Sequence, residues 1–259
     1  MKIGIIGMGF VGKAVAASYE PEQILVNDPI YPASVSVEEL KERCNAIYIA
    51  VPTPQAESGK CDTSILESVV ESLKGYTGVV ISKCTASPRL YQHIEATSGL
   101  KFAHVPEFLT QVNAVRDYLN PHKIVIGCQP EILGDVIKVV ITDKINFTDA
   151  VEHCSIGEAS MFKYLANTML AIKVIMNNEY YDLCQVMGLD YRCISLMAQT
   201  DPRLGNTHWA VPGPDGSRGF GGACFPKDTA ALEYLANELN VSMDVLSEAI
   251  IKNKFYRNQ

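Results

Sequence analysis

Cys224 stands in the run Gly219-Phe220-Gly221-Gly222-Ala223-Cys224-Phe225-Pro226-Lys227-Asp228, just behind three glycines and just ahead of a proline. Glycines let a backbone approach a ligand closely and take φ > 0. Pro226 suits a first helical position, where its missing N–H would have no partner. The residues from Asp228 to Leu235 read as helix. Cys224 is therefore expected at a helix N-terminus beside Lys227, and both features favour thiolate over thiol. That chemistry is a nucleophile with Asp228 close by for proton transfer or positioning. A tight glycine turn holding a packed, inert cysteine would leave the same ten letters.

A second pattern lies at the start of the chain. Lys2-Ile3-Gly4-Ile5-Ile6 is a short apolar run ending in Gly7-Met8-Gly9-Phe10-Val11-Gly12, followed by the small-residue stretch Lys13–Tyr19. This is G-x-G-x-x-G after a strand and before a helix. Ile24-Leu25-Val26 reads as the next strand, with Asp28 at its end, about 20 residues after the first glycine, as a dinucleotide fingerprint requires. Gly7 would allow the tight turn, Gly9 the approach of a pyrophosphate and Gly12 close helix packing. Asp28 would accept hydrogen bonds from the adenosine ribose, and its charge would repel a 2′-phosphate, so NAD is expected rather than NADP.

These residues need a scaffold, and composition bounds it. The chain has 259 residues, 47% apolar and 20% charged, with a formal net charge of −7. One large or two ordinary domains are expected, and a general nucleic-acid binder is not. The eight cysteines are scattered without a C-x-x-C pair, so neither a zinc ribbon nor a disulfide scaffold is expected. A reducing, cytoplasmic setting is the simpler expectation. The apolar start carries the glycine pattern and is not read as a signal peptide. No apolar segment reaches the length of a membrane span.

In chain order, Ala46–Val51 reads as a buried strand running into Pro52-Thr53-Pro54. Asp62-Thr63-Ser64 caps a helix over Ile65–Leu73. Strands follow at Gly78–Ser82, ahead of Lys83-Cys84-Thr85; at Lys101–Val105, ahead of Pro106-Glu107-Phe108-Leu109; and at Lys123–Gly127. A short helix is expected over Ile132–Val140 and an edge strand over Lys144–Phe147. This alternation predicts a doubly wound α/β parallel sheet, residues 1–150. From Val151 the pattern turns helical, so residues 151–259 are expected to form an all-helical domain. It comprises a long helix over Ile156–Met187 ended by Gly188, a second over Tyr191–Gln199, and two more over Lys227–Asn240 and Ser242–Tyr256. Between them lies a Gly- and Pro-rich loop, Asp201–Gly222, with the only tryptophan, Trp209. Loops this long are often functional.

Taken together, the glycine fingerprint, Val51-Pro52-Thr53-Pro54, Lys83-Cys84-Thr85, Pro106–Leu109, Lys163-Tyr164-Leu165-Ala166-Asn167 and Gly219–Asp228, in this order, resemble the UDP-glucose/GDP-mannose 6-dehydrogenase family. The resemblance covers nearly the whole chain. It implies a Rossmann domain, NAD, a nucleotide-sugar substrate, no metal and a homodimer. It also implies oxidation of a sugar 6-hydroxymethyl group to a carboxylate through a cysteine thiohemiacetal and thioester. On that resemblance Cys224 is the nucleophile and Asp228 a base or water-positioning group. Lys163 and Asn167 steady the oxygen at C6; their i, i+4 spacing puts both on one helix face, and a cation with an amide suits a developing alkoxide. Glu107 is implied in water activation or substrate contact, and Thr85 in contact with water or cofactor. Cofactor contacts are implied for Gly7, Met8, Gly9, Phe10, Val11, Gly12, Asp28, Val51, Pro52, Thr53, Thr85, Gln111 and Lys227. Substrate contacts are implied for Phe108, Leu109, Lys163, Asn167, Arg203, Phe220 and Gly221.

There are departures from the family pattern. Gln111 stands where a second carboxylate is common, and Lys83-Cys84-Thr85-Ala86-Ser87 replaces Lys-Ser-Thr-Val-Pro. The family's third, nucleotide-binding domain is expected to be missing after Gln259, and His208, Trp209 and Arg218 of the long loop could supply stacking and charge instead. Two other readings remain: a two-electron hydroxyacid dehydrogenase, which would not need Cys224, and a non-catalytic binder of NAD or a nucleotide sugar.

Overall fold

The structure is a computed structural model and describes residues 1–110, 113–141 and 151–258. The expected strand at Lys144–Phe147 lies outside these residues. The first part of the chain alternates β1 (Ile3–Ile6), α1 (Phe10–Ala16), β2 (Ile24–Asn27), α2 (Val37–Arg43), β3 (Ala46–Ile49), α3 (Ser64–Ser72), β4 (Val79–Ser82), α4 (Pro88–Thr97), β5 (Lys101–His104), α5 (Ala114–Leu119), β6 (Ile124–Gly127), α6 (Leu133–Ile141) and β7 (Val151–Cys154). Four helices follow: α7 (Ile156–Met187), α8 (Tyr191–Gln199), α9 (Phe225–Glu238) and α10 (Asp244–Arg257). The chain divides into two compact units, Met1–Pro54 with Asp62–Lys163, and Gln55–Cys61 with Tyr164–Gln259. The division falls inside α7, whose first turns belong with the sheet.

The sheet runs β2-β1-β3-β4-β5-β6-β7. Strands β1, β3, β4 and β6 are short and fully buried because helices cover both faces. Ile3, Ile5, Tyr48, Ile81 and Ala103 point to the side of α1, α5 and α6, where Val15, Tyr118 and Val136 meet them. Ile6, Ile47, Ile49, Val80 and Phe102 point to the side of α2, α3, α4 and the start of α7, against Leu40, Leu66, Tyr91 and Ile156. β1 to β5 are parallel and in step, with Ile3 beside Ile24 and Ala46, Ala46 beside Val79, and Val79 beside Lys101. Their carboxyl ends therefore share one edge. The order reverses between β2-β1 and β3-β4, the switch point at which open α/β sheets bind ligands.

One step departs from the expected parallel sheet: β5 and β6 are antiparallel, joined at His104 and Gly127, while β6 and β7 are parallel. Among the described residues, the α-helix in the segment between β5 and β6 is the six-residue α5. An antiparallel neighbour starts from the edge where its predecessor ended and needs no crossover.

The helical expectations for α7 and α8 hold residue for residue, and Gly188 closes α7 with φ +68°. Asp62 accepts from the Ser64 N–H at 3.0 Å at the start of α3. α2 and α4 have their own start signals, Ser36 accepting from Glu39 N–H and Ser87 accepting from Leu90 N–H ahead of Pro88. Among the described residues no helix is long and apolar enough to cross a membrane.

Candidate active site

Local sterics set the glycine turn after β1. Gly7 has φ +94°, and a Cβ there would lie 2.6 Å from the Ala50 carbonyl oxygen. A Cβ on Gly12 would lie 2.0 Å from the Gly7 carbonyl oxygen, so α1 can pack on the turn only with glycine. A Cβ on Gly9 would meet nothing within 4 Å. Gly9 is also the N-cap of α1 and offers no capping side chain, so the N–H groups of Phe10, Val11 and Gly12 open a helix that no side chain closes. Asp28 reaches this turn: its carboxylate accepts from the Met8 N–H at 2.7 Å and the Ile30 N–H at 2.9 Å. An open glycine at an uncapped helix start, with a carboxylate at the next strand end, fits a dinucleotide.

The neighbouring strand ends complete this edge. Val51, Pro52 and Thr53 follow β3, and Thr53 donates to the Thr85 carbonyl after β4 at 2.8 Å, tying the two loops together. Lys83 is buried, its ammonium 5.3 Å from the centre of the Tyr118 ring. His104 is buried and stacked on Tyr91 at 4.2 Å. Burial pushes its imidazole down to about 3; the Ser82 carbonyl opposes this, and Lys83 and Lys163 reinforce it. Gln111 lies outside the described residues.

After β5, Glu107 meets Lys163 from the second turn of α7. The ammonium lies 3.1 Å from Oε1 and also donates to the Glu107 carbonyl oxygen. The other carboxylate oxygen accepts from the Leu109 N–H at 2.9 Å. The two side chains are 5% and 7% exposed, a buried ion pair. Phe108 lies edge-on to Phe162 at 5.5 Å, and Lys123 caps Phe162 at 4.2 Å. Phe162 and Lys123 were invisible as site neighbours in the sequence, because nothing local links them to Phe108.

In the second unit, Cys224 is the N-cap of α9, with Pro226 in the first turn, and it does not cap the helix with its side chain. The Asp228 N–H donates to the Cys224 carbonyl at 2.8 Å. Asp228 is 1% exposed and accepts from Asn167 at 2.6 Å and from Lys227 at 2.6 Å. Burial pulls Lys227 down, but Asp228, Cys61 and Cys224 together outweigh it, so its ammonium is held above the usual lysine range. Cys61 packs with Tyr164, Ala231, Leu232 and Leu246. Burial, then the charges of Cys61 and Asp228, drive the Tyr164 phenol well up. The structure thus gathers Asn167, Asp228, Lys227 and Cys224 around the start of α9, and separately pairs Glu107 with Lys163. Lys163 and Asn167 stand one turn apart on α7.

Three of the residues expected to touch substrate, Phe220, Arg203 and Gly221, have the following surroundings in the structure. The Phe220 ring is 3% exposed, against Phe225, and its backbone groups are bonded to Asn253. Arg203 lies in the turn after α8, 85% exposed and paired with Asp201. Gly221 sits under the Arg257 guanidinium, which also binds Asp215 at 2.7 Å. Lys173 of α7 lies over Trp209 of the long loop at 4.1 Å and donates to the carbonyls of Leu204 and Thr207. Among the described residues no group of three or more His, Cys, Asp or Glu is placed to hold a metal ion.

Residues 22–143 match the NAD-binding domain of the UDP-glucose/GDP-mannose dehydrogenase family, and residues 157–254 match its central domain. UDP-glucose 6-dehydrogenase AglM of Haloferax volcanii is 30% identical over 98% of this chain and 69% of its own length. UDP-glucose 6-dehydrogenase of Rickettsia bellii is 31% identical over 90% of this chain and 54% of its own. Across such relatives the chain spans 48% to 69% of the longer protein. A UDP-glucose dehydrogenase from Pyrobaculum islandicum superposes with a TM-score of 0.82 at 24% identity, over 98% of this chain and 68% of that one. With both domains matched in order and the glycine turn fit for a dinucleotide, the chain belongs to the NAD-binding UDP-glucose/GDP-mannose dehydrogenase family.

Proposed function

We propose that the protein oxidises the 6-hydroxymethyl group of a nucleotide sugar, UDP-glucose being the first candidate, to a carboxylate in two two-electron steps. The observation that carries this reading is the cysteine at the start of α9 with Lys227 and Asp228 one turn on and Asn167 bonded to Asp228. Gly7, Gly9, Gly12 and Asp28 would hold NAD, which supplies the two-electron acceptor for each step. Lys163, paired with Glu107, would donate an N–H to the sugar oxygen as the hydroxyl proton leaves to water; two of its three N–H bonds already point at Glu107.

The Cys224 Sγ, as thiolate, would form a C–S bond to the aldehyde carbon, and the carbonyl oxygen would take a proton to give a thiohemiacetal. Loss of a hydride and of the hydroxyl proton turns this adduct into a thioester. Water then adds at the same carbon, the C–S bond breaks, and the products are the carboxylate and the restored thiol. Asp228, one turn on from Cys224, would orient that water and take its proton. The test is stoichiometry: with UDP-glucose in limiting amount and excess NAD, absorbance at 340 nm should show two NADH per sugar, with a carboxylate product by mass spectrometry. One NADH per sugar and an aldehyde product would replace this reading with simple alcohol oxidation. No NADH across a panel of UDP- and GDP-sugars would leave a binding protein.

We also infer that two copies of the chain associate through α7. Leu165, Met169, Met176, Tyr180, Leu183 and Met187 recur at spacings of three, four and seven, and each is 49% to 60% exposed. Such a stripe is longer than an ordinary surface patch and has the pattern of a helix–helix seam. Sedimentation equilibrium should give twice the 28.4 kDa chain mass, and Met176→Lys with Leu183→Lys should give one chain mass. A wild-type chain that sediments at 28.4 kDa would refute the seam.

A further inference from the structure

Phe220 and its neighbours lead directly into the cysteine, and two side-chain amides from distant parts of the second unit hold their backbone. Asn253 of α10 accepts from the Phe220 N–H at 2.7 Å and donates to the Phe220 carbonyl at 3.0 Å. One amide thereby satisfies both backbone groups of one residue, as a neighbouring strand would. Asn178 of α7 accepts from the Gly219 N–H and the Arg218 Nε, each at 3.2 Å, and its backbone carbonyl accepts from the same guanidinium at 3.1 Å. Asn178 is 1% exposed and Asn253 is 9% exposed.

The glycines of the motif fit this clamp. Gly219 has φ +71°, and a Cβ there would lie 2.4 Å from the Asn253 Oδ1; at Gly221 a Cβ would lie 1.8 Å from an Arg257 nitrogen. A side chain at position 219 is thus disfavoured both by the positive φ and by the Asn253 amide, and one at position 221 would displace the Arg257 guanidinium. Phe220 then fixes the next segment, its ring edge-on to Phe225, which opens α9 directly after Cys224. Between these two rings only Gly221, Gly222, Ala223 and Cys224 remain. The backbone that enters α9 carries Cys224 as its N-cap residue, so a shift of that backbone moves the thiol with it.

We propose that Asn178 and Asn253 are positioning residues for Cys224. By fixing the backbone of Gly219 and Phe220 they fix where the thiol stands against Lys227 and Asp228. The inference deepens the proposed function and rests on Cys224 being its nucleophile. An amide in this place is costly to bury unless every polar atom is used. Leu246, Ala249 and Tyr256, the other buried residues of the same face of α10, are apolar or mainly so.

The test measures the thiol itself. Alkylation of Cys224 by iodoacetamide is followed across pH by peptide mass spectrometry, with the exposed Cys193 on α8 as internal reference. In Asn253→Ala the midpoint for Cys224 should move up by about half a unit or more, and its rate relative to Cys193 should change about five-fold or more. kcat should fall with the KM for NAD unchanged. Asn253→Asp keeps the shape and the acceptor but cannot donate to the Phe220 carbonyl, so it carries the same test if the alanine variant does not fold. A Cys224 profile that matches wild type in the variants would overturn the proposal, whether or not melting falls, and would leave the amides a purely structural role. The alkylation readout needs no turnover: if the wild type makes no NADH, the proposed function fails while the positioning claim is still decided.

Discussion

Cys224→Ser is expected to lower the steady-state rate of NADH formation from UDP-glucose by about 10⁴-fold or more, the scale at which loss of a covalent nucleophile registers. A serine hydroxyl stays protonated near neutral pH and is a far weaker nucleophile toward an aldehyde than a thiolate. The sequence of steps would stop at an aldehyde that stays on the enzyme, so NADH should level off at about one per active site. The same substitution gives a rare separation of chemistry from folding. Cys224 occupies the N-cap of α9 without capping it, and serine is among the best N-caps. Melting should therefore be unchanged or slightly raised while activity is lost. Full activity in the serine variant would exclude the thioester route outright.

Lys163→Met is expected to cost both stability and activity. Lys163 and Glu107 are 5% and 7% exposed and 3.1 Å apart. Removing the cation leaves a buried carboxylate unpaired and takes a donor from the Glu107 carbonyl, a loss of about 3–5 kcal/mol. Adding Glu107→Gln should recover part of the loss, because the unpaired charge is then gone while the side chain keeps its shape. A variant as stable as wild type at pH 8 would show that the pair contributes little.

The sheet unit was legible because its signals are local. Apolar runs, the glycine turn and Asp28 each follow from residues a few positions apart, and the structure adds the steric reasons at Gly7 and Gly12. α7 was legible to the residue because its end is written as a glycine that takes φ +68°. Partnerships across long separations were not. The antiparallel step at β5 and β6 depends on pairing, and β7 is a half-exposed strand whose Glu152 and His153 hide its period. Phe162 reads as one more apolar helix residue until Phe108 and Lys123 are seen around it. Asn253 did leave a trace: it falls at the spacing of Leu246, Ala249 and Tyr256, an amide inside an otherwise buried stripe. A polar residue in phase with a core face is a request for a hydrogen-bonding partner, here Phe220.

The hold of α10 on the glycine run also sets an order of events during synthesis. Cys224 leaves the ribosome 29 residues ahead of Asn253, which at about 5–20 residues per second is on the order of a few seconds. Through that interval the Phe220 backbone has only water for partners, and the thiol is an ordinary cysteine on a mobile chain. Closing the contact joins residues 33 apart, so its loop entropy is met only once α7 and α9 have a surface for α10 to dock on. On the proposed role of Cys224, its placement beside Lys227 and Asp228 is consequently a late product of folding, absent from a nascent chain.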